Sequence, residues 1–248
     1  MDEITIPTGI TMNNSSWGKL HAELVNQRQC LDMLNSAWIT EYRSKGGVIY
    51  CRRGCDSCCT LAVNCTLTEA VSLAKSLSAE QLDVVSSYAL RLRDLLGDSV
   101  DMKQYLRMQR NDMGFCPLLA ADGSCTAYEA RPLSCRSLLS TKESRWCGID
   151  FATLTEEEKR SFITSLDPAE TAFPLHYARV PQETGMELES RQLTLMKQAL
   201  GYGCYGCMPV LVHLVHRHGI CEAPSKAASE TTASEAGFNN PLLVSWIT

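Results

Sequence analysis

Four cysteines fall within nine positions of the stretch YCRRGCDSCCT, residues 50–60: Cys51, Cys55, Cys58 and Cys59. Thiolates are soft ligands suited to zinc, copper(I) and iron–sulfur clusters, and close spacing lets one backbone turn aim several sulfurs at one centre. A second group lies further along, with Cys116 in FCPLL, Cys125 in GSC, Cys135 in RPLSCR and Cys147 in RWCG. Two groups distant in sequence could close one site, which would make metal binding part of folding. Disulfides explain the pattern less well. The opening residues MDEITIPTGI have neither the basic segment nor the apolar core of a secretory signal, and the total of 13 cysteines is odd. Adjacent Cys58 and Cys59 are also badly placed to bridge each other.

These residues resemble the YkgJ-type cysteine-cluster family, a CxxCxxCC zinc- or iron-chelating domain related to flagellin lysine N-methylase. The resemblance rests on Cys51-x3-Cys55-x2-Cys58-Cys59, Cys116-Pro-Leu-Leu, Gly123-x-Cys125, Tyr128-Glu-x-Arg131-Pro132-x-x-Cys135-Arg136 and Cys147, across residues 46–148. It implies a [4Fe-4S] cluster and a ligand pool of Cys51, Cys55, Cys58, Cys59, Cys116, Cys125, Cys135 and Cys147. Cys65 falls outside the pattern and is read as structural. Eight thiolates exceed the needs of one four-ligand centre. Two four-cysteine sites, one cluster with zinc, or one cluster with spare thiols all stay open.

Arg52, Arg53, Arg131, Arg136 and Arg145 adjoin these cysteines. Cations there would offset the negative charge of a thiolate-bound cubane, and Arg131 and Arg136 are assigned to cofactor binding. Tyr128 and Pro132 are expected to shape the loop. The C-x3-C-x2-C spacing also resembles that of radical S-adenosylmethionine enzymes. Those enzymes set it in a partial βα barrel with an aromatic residue before the third cysteine, where this chain has Ser57 followed by helical sequence.

Cys204, Cys207, His213, His216, His218 and Cys221 have a superficial zinc spacing. Helix-end chemistry accounts for the histidines: Pro209 suits a helix start, Gly219 a helix end, and basic residues in the last turn complement the dipole. His213 and His216 are read as facing away from Leu211, Leu214 and Val215. Gly201, Gly203 and Gly206 leave room for backbone to approach a cofactor, which keeps the role of Cys204 and Cys207 open. His176, in FPLHY, is read as structural.

The elements that must carry these groups are mostly helical. Leu20, Leu24, Leu31, Leu34 and Trp38 recur at helical spacing over residues 15–43, with Cys30 beside the stripe as a small buried apolar group. LAVNC suggests a short strand. Thr66 with Glu69, Ser78 with Gln81, and Thr155 with Glu158 have capping-box spacing for three helices, and another is expected over residues 99–110. ELESRQLTLMKQAL gives a helix closed by Gly201, preceded by an extended loop in DPAETAFPLHYARVPQETG, and a further helix runs from Pro209 to His218. The fold expected is mainly α: a compact helical domain with cysteine-rich loops around an iron–sulfur or zinc centre and little β structure. One domain is expected over residues 1–221, then a linker over 222–240 and the apolar tail PLLVSWIT over 241–248, which should dock on this protein or on a partner.

At 248 residues and 45% hydrophobic content the chain can bury a substantial core, and its formal net charge of -5 argues against a surface built for nucleic acid or anionic lipid. The apolar run near CMPVLVHLV is broken by His213 and falls short of the roughly 20 residues needed to span a bilayer. A soluble, cytoplasmic protein is expected. The function expected is iron–sulfur cluster binding with redox or cluster-dependent catalysis. The alternatives are S-adenosylmethionine-dependent methyl transfer, as the related methylase implies, or a zinc-stapled, non-enzymatic interaction module. No G-x-G-x-x-G fingerprint is present to mark a nucleotide site.

Overall fold

A computed structural model of the protein describes residues 16–96 and 101–248. In chain order its elements are α1 (Ser16–Ser44), β1 (Asn64–Thr66), α2 (Leu67–Ser76), α3 (Ala79–Leu96), α4 (Met102–Met108), α5 (Leu133–Ser137), α6 (Arg145–Gly148), α7 (Glu156–Thr164), α8 (Arg179–Leu200), β2 (Gly203–Cys207), α9 (Met208–His218), α10 (Lys226–Glu235) and β3 (Val244–Ile247). The fold is mainly α with one small antiparallel sheet, ordered β1-β2-β3. No helix among the described residues is long and apolar enough to cross a membrane.

The chain divides into two compact units. Among the described residues, one comprises 16–26, 64–96 and 190–248; the other comprises Gln27–Val63 and Asp101–Glu189. We call them the sheet unit and the cysteine unit. The division falls inside α1 and α8.

In the sheet unit, α9 packs against α2 and α3. Leu67, Leu73, Val85, Ala89, Leu92, Val210, Leu211 and Leu214 are buried there. Burial of such side chains is the main favourable contribution to folding, about 1.5–3 kcal/mol for each large one. The start of α2 is fixed by a reciprocal cap. Thr66 Oγ1 accepts from Glu69 N, while Glu69 Oε2 accepts from Thr66 N at 2.8 Å. Ser78 and Gln81 form the corresponding pair at α3, and α9 ends at Gly219 in the left-handed region (φ 57°).

GYGCYGC gives no strand signal, yet it forms β2, the central strand, pairing with β1 through Cys65↔Gly206 and with β3 through Cys204↔Trp246. Glycine is required at 206 because a Cβ there would strike the Leu243 carbonyl. Packing on both flanks decides the strand. The tail PLLVSWIT is thus an edge strand of the chain's own sheet. The stretch 222–240, expected as a linker, contains α10, with Ser229 and Ala233 buried and the Ser229 hydroxyl 2.8 Å from Tyr202 OH.

Three further expectations shift. The helix expected over 99–110 begins at Met102 and continues as a π turn over Gln109–Met113; positions 99 and 100 lie outside the described residues. α8 starts at Arg179, well before the expected boundary, because Pro181 sits in its first turn, where a missing N–H removes no intrahelical bond. Cys30 is exposed on α1, one position off the buried stripe.

His213 is also corrected: it is buried on α9, at 4% exposure, with its ring beside Phe238 and His218. Burial, then the nearby His218, Arg217, Arg93 and His216, hold its pKa down at about 4. The ordinary value is 6.5, so below it the unfolded chain takes up a proton that the folded chain resists. This contribution to stability is complete above pH 6.5 and is lost as pH falls towards 4. His213→Leu should flatten the acid limb of the stability–pH curve in that window by on the order of 1 kcal/mol, allowing for solvent screening of the ring. Denaturant unfolding of parent and variant across the window checks this, and identical acid limbs would refute it.

Candidate metal centre

All eight cysteines of the two groups lie in the cysteine unit, whereas Cys65, Cys204, Cys207 and Cys221 lie in the sheet unit. No disulfide joins any of the cysteines among the described residues. Cys51 sits on extended chain, Gly54 turns the backbone (φ 81°) ahead of Cys55, and Cys58 and Cys59 occupy a 3-10 turn over Ser57–Thr60. In the second group, Cys116 and Cys125 flank a tight reversal closed by Ala120 N–H to Ser124 O at 2.8 Å and Thr126 N–H to Leu118 O at 2.9 Å. Asp122 Oδ1 braces the tip by accepting from Ser124 N and Oγ. Cys135 and Cys147 are carried by the short helices α5 and α6.

The two sulfur-rich segments meet. Cys116 N–H donates to Cys59 O at 2.7 Å, and α6 packs on the turn that carries Cys58 and Cys59. A Cβ on Gly123 would stand 2.8 Å from Gly54 O, so the glycine tip of one loop lies against the glycine turn of the other. Ser140 N–H donates to Cys51 Sγ at 3.1 Å.

The thiols also act on one another electrostatically. Burial raises Cys51 to about 11, and proximity to Cys58, Cys147 and Cys55 pushes in the same direction. Cys58 is raised first by its contact with Cys59 and then by burial. Burial raises Cys135 well above the ordinary thiol range, with Cys116, Cys58 and Cys125 adding to the effect. Cys58 is therefore felt by thiols of both groups. Arg131 is the cation that opposes the rise at Cys58 and at Cys135.

Thiols raised in this way are poor nucleophiles at neutral pH, because the thiolate is the reactive form. A soft cation changes the balance by replacing the proton on each sulfur. The donor set fits zinc or an iron–sulfur cluster in chemistry and number. Among the described residues, no three Cys, His, Asp or Glu side chains are grouped closely enough to surround a single ion as they stand.

The arginines divide in their roles. Arg131 lies over the Tyr128 ring with its guanidinium carbon 3.8 Å from the centroid. Arg136 is buried and spends its guanidinium on the chain: Nη1 pairs with Asp32 at 2.5 Å, Nε donates to Arg131 O at 3.1 Å, and Nη2 donates to Glu129 O. It braces the loop that carries Cys135. Arg145 covers Trp146, and Arg53 acts on Asp122.

A third segment was missed by sequence reasoning. Cys147 Sγ lies 3.3 Å from His176 Nε2, and burial raises this thiol above its ordinary range against hydrogen bonds from Ser140 and Tyr177. His176 is 3% exposed and held at about 4, by burial and then by Lys142. Tyr177 is raised by burial and by Cys147, Cys58 and Cys51. Phe162 packs edge to face on His176, and Trp146 and Phe151 pack in turn on Phe162, forming an apolar wall. The only sequence signal was a histidine–tyrosine pair in a turn-rich stretch, which gives no hint that Thr141 N–H pairs with His176 O at 3.0 Å and draws the segment in.

Residues 50–160 match the family model CxxCxxCC, described as a putative zinc- or iron-chelating domain. No curated protein and no solved structure matches the chain. The matched span contains all eight cysteines and ends before His176 and Tyr177.

The contact between the glycine turns gives a direct test. Gly123→Ala puts a side chain on a residue at φ 77° and forces it onto Gly54 O. It should destabilise the cysteine unit by roughly 2 kcal/mol or more and speed the reaction of its thiols with an aromatic disulfide reagent. Unchanged thiol kinetics and unfolding midpoint would show that the two loops do not depend on each other.

Proposed function

We propose, from the premise that residues 50–160 form a domain of the CxxCxxCC family, that the cysteine unit holds a [4Fe-4S] cluster used in a redox or other cluster-dependent reaction. The family match supports metal binding; the cluster and its role are our reading. The observation that carries it is the joining of two thiol groups in one unit, through the Cys116 N–H to Cys59 O bond. Ligands around one zinc ion sit at about 2.3 Å from the metal and so crowd close together, whereas a cubane spreads its thiolates over a wider volume. The sulfurs here interact across both groups.

When bound, a cluster of this kind supplies one-electron chemistry. The chain's own residues would set its surroundings. Arg131 offsets negative charge beside Cys58 and Cys135, Ser140 and Tyr177 donate to Cys147, and the wall of Trp146, Phe151 and Phe162 limits water on that side. Hydrogen bonds and positive charge near ligand sulfurs stabilise the reduced, more negative state.

The full chain isolated without oxygen should contain iron and acid-labile sulfide and show broad visible absorption, with a paramagnetic signal in one redox state. Cys58→Ser should lose most of the iron, while Cys30→Ser, on an exposed helix position, should keep it. A colourless protein containing zinc would replace this reading with a zinc-stapled domain, and a protein with neither metal would refute both. A spectrum perturbed by added S-adenosylmethionine would redirect the reaction to methyl or radical chemistry.

A further inference from the structure

The segment 171–178 lies beyond the matched span, yet hydrogen bonds tie it to the middle of that span. Thr141 N–H and Thr141 Oγ1 both donate to His176 O, at 3.0 and 2.8 Å, and Ala178 N–H donates to Leu139 O at 2.8 Å. Ser140, which faces Tyr177 in this bridge, sends its own N–H to Cys51 Sγ at 3.1 Å, and its carbonyl accepts from Tyr50 N–H at 3.0 Å. One strip of chain, 139–141, therefore joins the first sulfur-bearing loop on one side to His176 and Tyr177 on the other. The His176 ring is fixed as well. It is 3% exposed, meets Phe162 edge to face at 5.8 Å and Tyr177 at 4.3 Å between centroids, and places Nε2 3.3 Å from Cys147 Sγ. The Tyr177 hydroxyl hydrogen-bonds the same sulfur.

We propose that His176 is a positioning residue of the metal centre, its Nε2–H donating to Cys147 Sγ so that this sulfur is held in place and part of its negative charge is drawn off. The proposal rests on the reading of the centre as a [4Fe-4S] cluster with Cys147 among its ligands. The protons set the direction of the bond. A metal-bound thiolate has none to give, so it only accepts, and the ring must carry its proton on Nε2. An imidazole buried among aromatic rings has lost its water, and an acceptor is needed to offset that cost. A thiol accepts weakly and a thiolate strongly, so the ring is placed for the sulfur in its metal-bound form. Tyr177 adds a second donor to the same atom. Partners of this kind orient a ligand and tune the metal it binds. Drawing charge from a ligand sulfur stabilises the reduced cluster, so the bond raises the midpoint potential.

The test uses the full chain isolated without oxygen and follows the midpoint potential of its cluster in a redox titration read by visible absorption. His176→Leu removes the donor, whereas His176→Gln keeps an N–H at a similar reach from the backbone. Both are compared with the parent once circular dichroism and iron content match. The midpoint should fall in His176→Leu and return most of the way in His176→Gln, and the leucine variant should release iron to a chelator about tenfold faster. A second measurement needs no variant. The other four histidines lie in the sheet unit, so in the parent labelled with nitrogen-15 histidine a weak coupling between the reduced cluster and a histidine nitrogen, read by pulsed paramagnetic resonance, reports His176. Where His176→Leu assembles no cluster, this coupling decides: a weak one supports the proposal, while none, or a strong one marking direct ligation, overturns it. A parent without iron overturns the cluster reading and this proposal together. A parent with a cluster whose midpoint is unchanged in His176→Leu, or whose leucine and glutamine variants behave alike, overturns this proposal alone.

Discussion

Crowding of thiols within one small unit is the constraint on which the rest of the cysteine unit depends. Each sulfur that ionises raises the cost of ionising its neighbours, and burial adds to that cost. Without a cation, the stable state is a set of protonated thiols, weakly polar and poorly reactive. With one, each proton lost is replaced by a metal–sulfur bond, and the same crowding favours binding. The fold prepares for this by fixing the backbone first. The Cys116 N–H to Cys59 O bond, the contact of Gly123 with Gly54, and Arg136 bound to Asp32 and two carbonyls all hold main chain.

Arg131 and Arg136 show how two basic positions of one motif serve different physical ends. Both are basic, and both stand beside Cys135 or its loop. Arg131 stays where its field reaches two thiols, while Arg136 is buried and its charge is met by Asp32 and carbonyl oxygens. A buried guanidinium is costly unless its donors are satisfied in this way, so removing Asp32 would harm the loop through Arg136 more than through any effect on the thiols.

Much of this was legible in the sequence because it is written locally. Capping boxes at Thr66, Ser78 and Thr155 require only residues three apart, and all three mark helix starts in the structure. The two cysteine groups were recognisable because ligand spacing is itself a local property. What could not be read depends on partners distant in the chain. β2 is a strand because β1 and β3 flank it, although glycine-rich sequence argues otherwise. The start of α8 moved because a proline in a first turn is harmless, which only a fixed helix start reveals. His176 and Tyr177 reach Cys147 through a bridge between Ser140 and Tyr177, a pairing that no periodicity encodes.

The two units also use buried polarity in different ways. In the cysteine unit, buried polar atoms are numerous, mutually repulsive and chemically soft, a combination that favours a metal over any neutral ligand. In the sheet unit, burial holds the His213 imidazole neutral beside Phe238 and His218, and the nearby Arg217 and Arg93 are paired with Asp83 and Asp94. A crowded set of sulfurs that repel one another when ionised is thus completed by a cation, whereas a buried imidazole kept neutral costs stability only when acid forces a proton onto it.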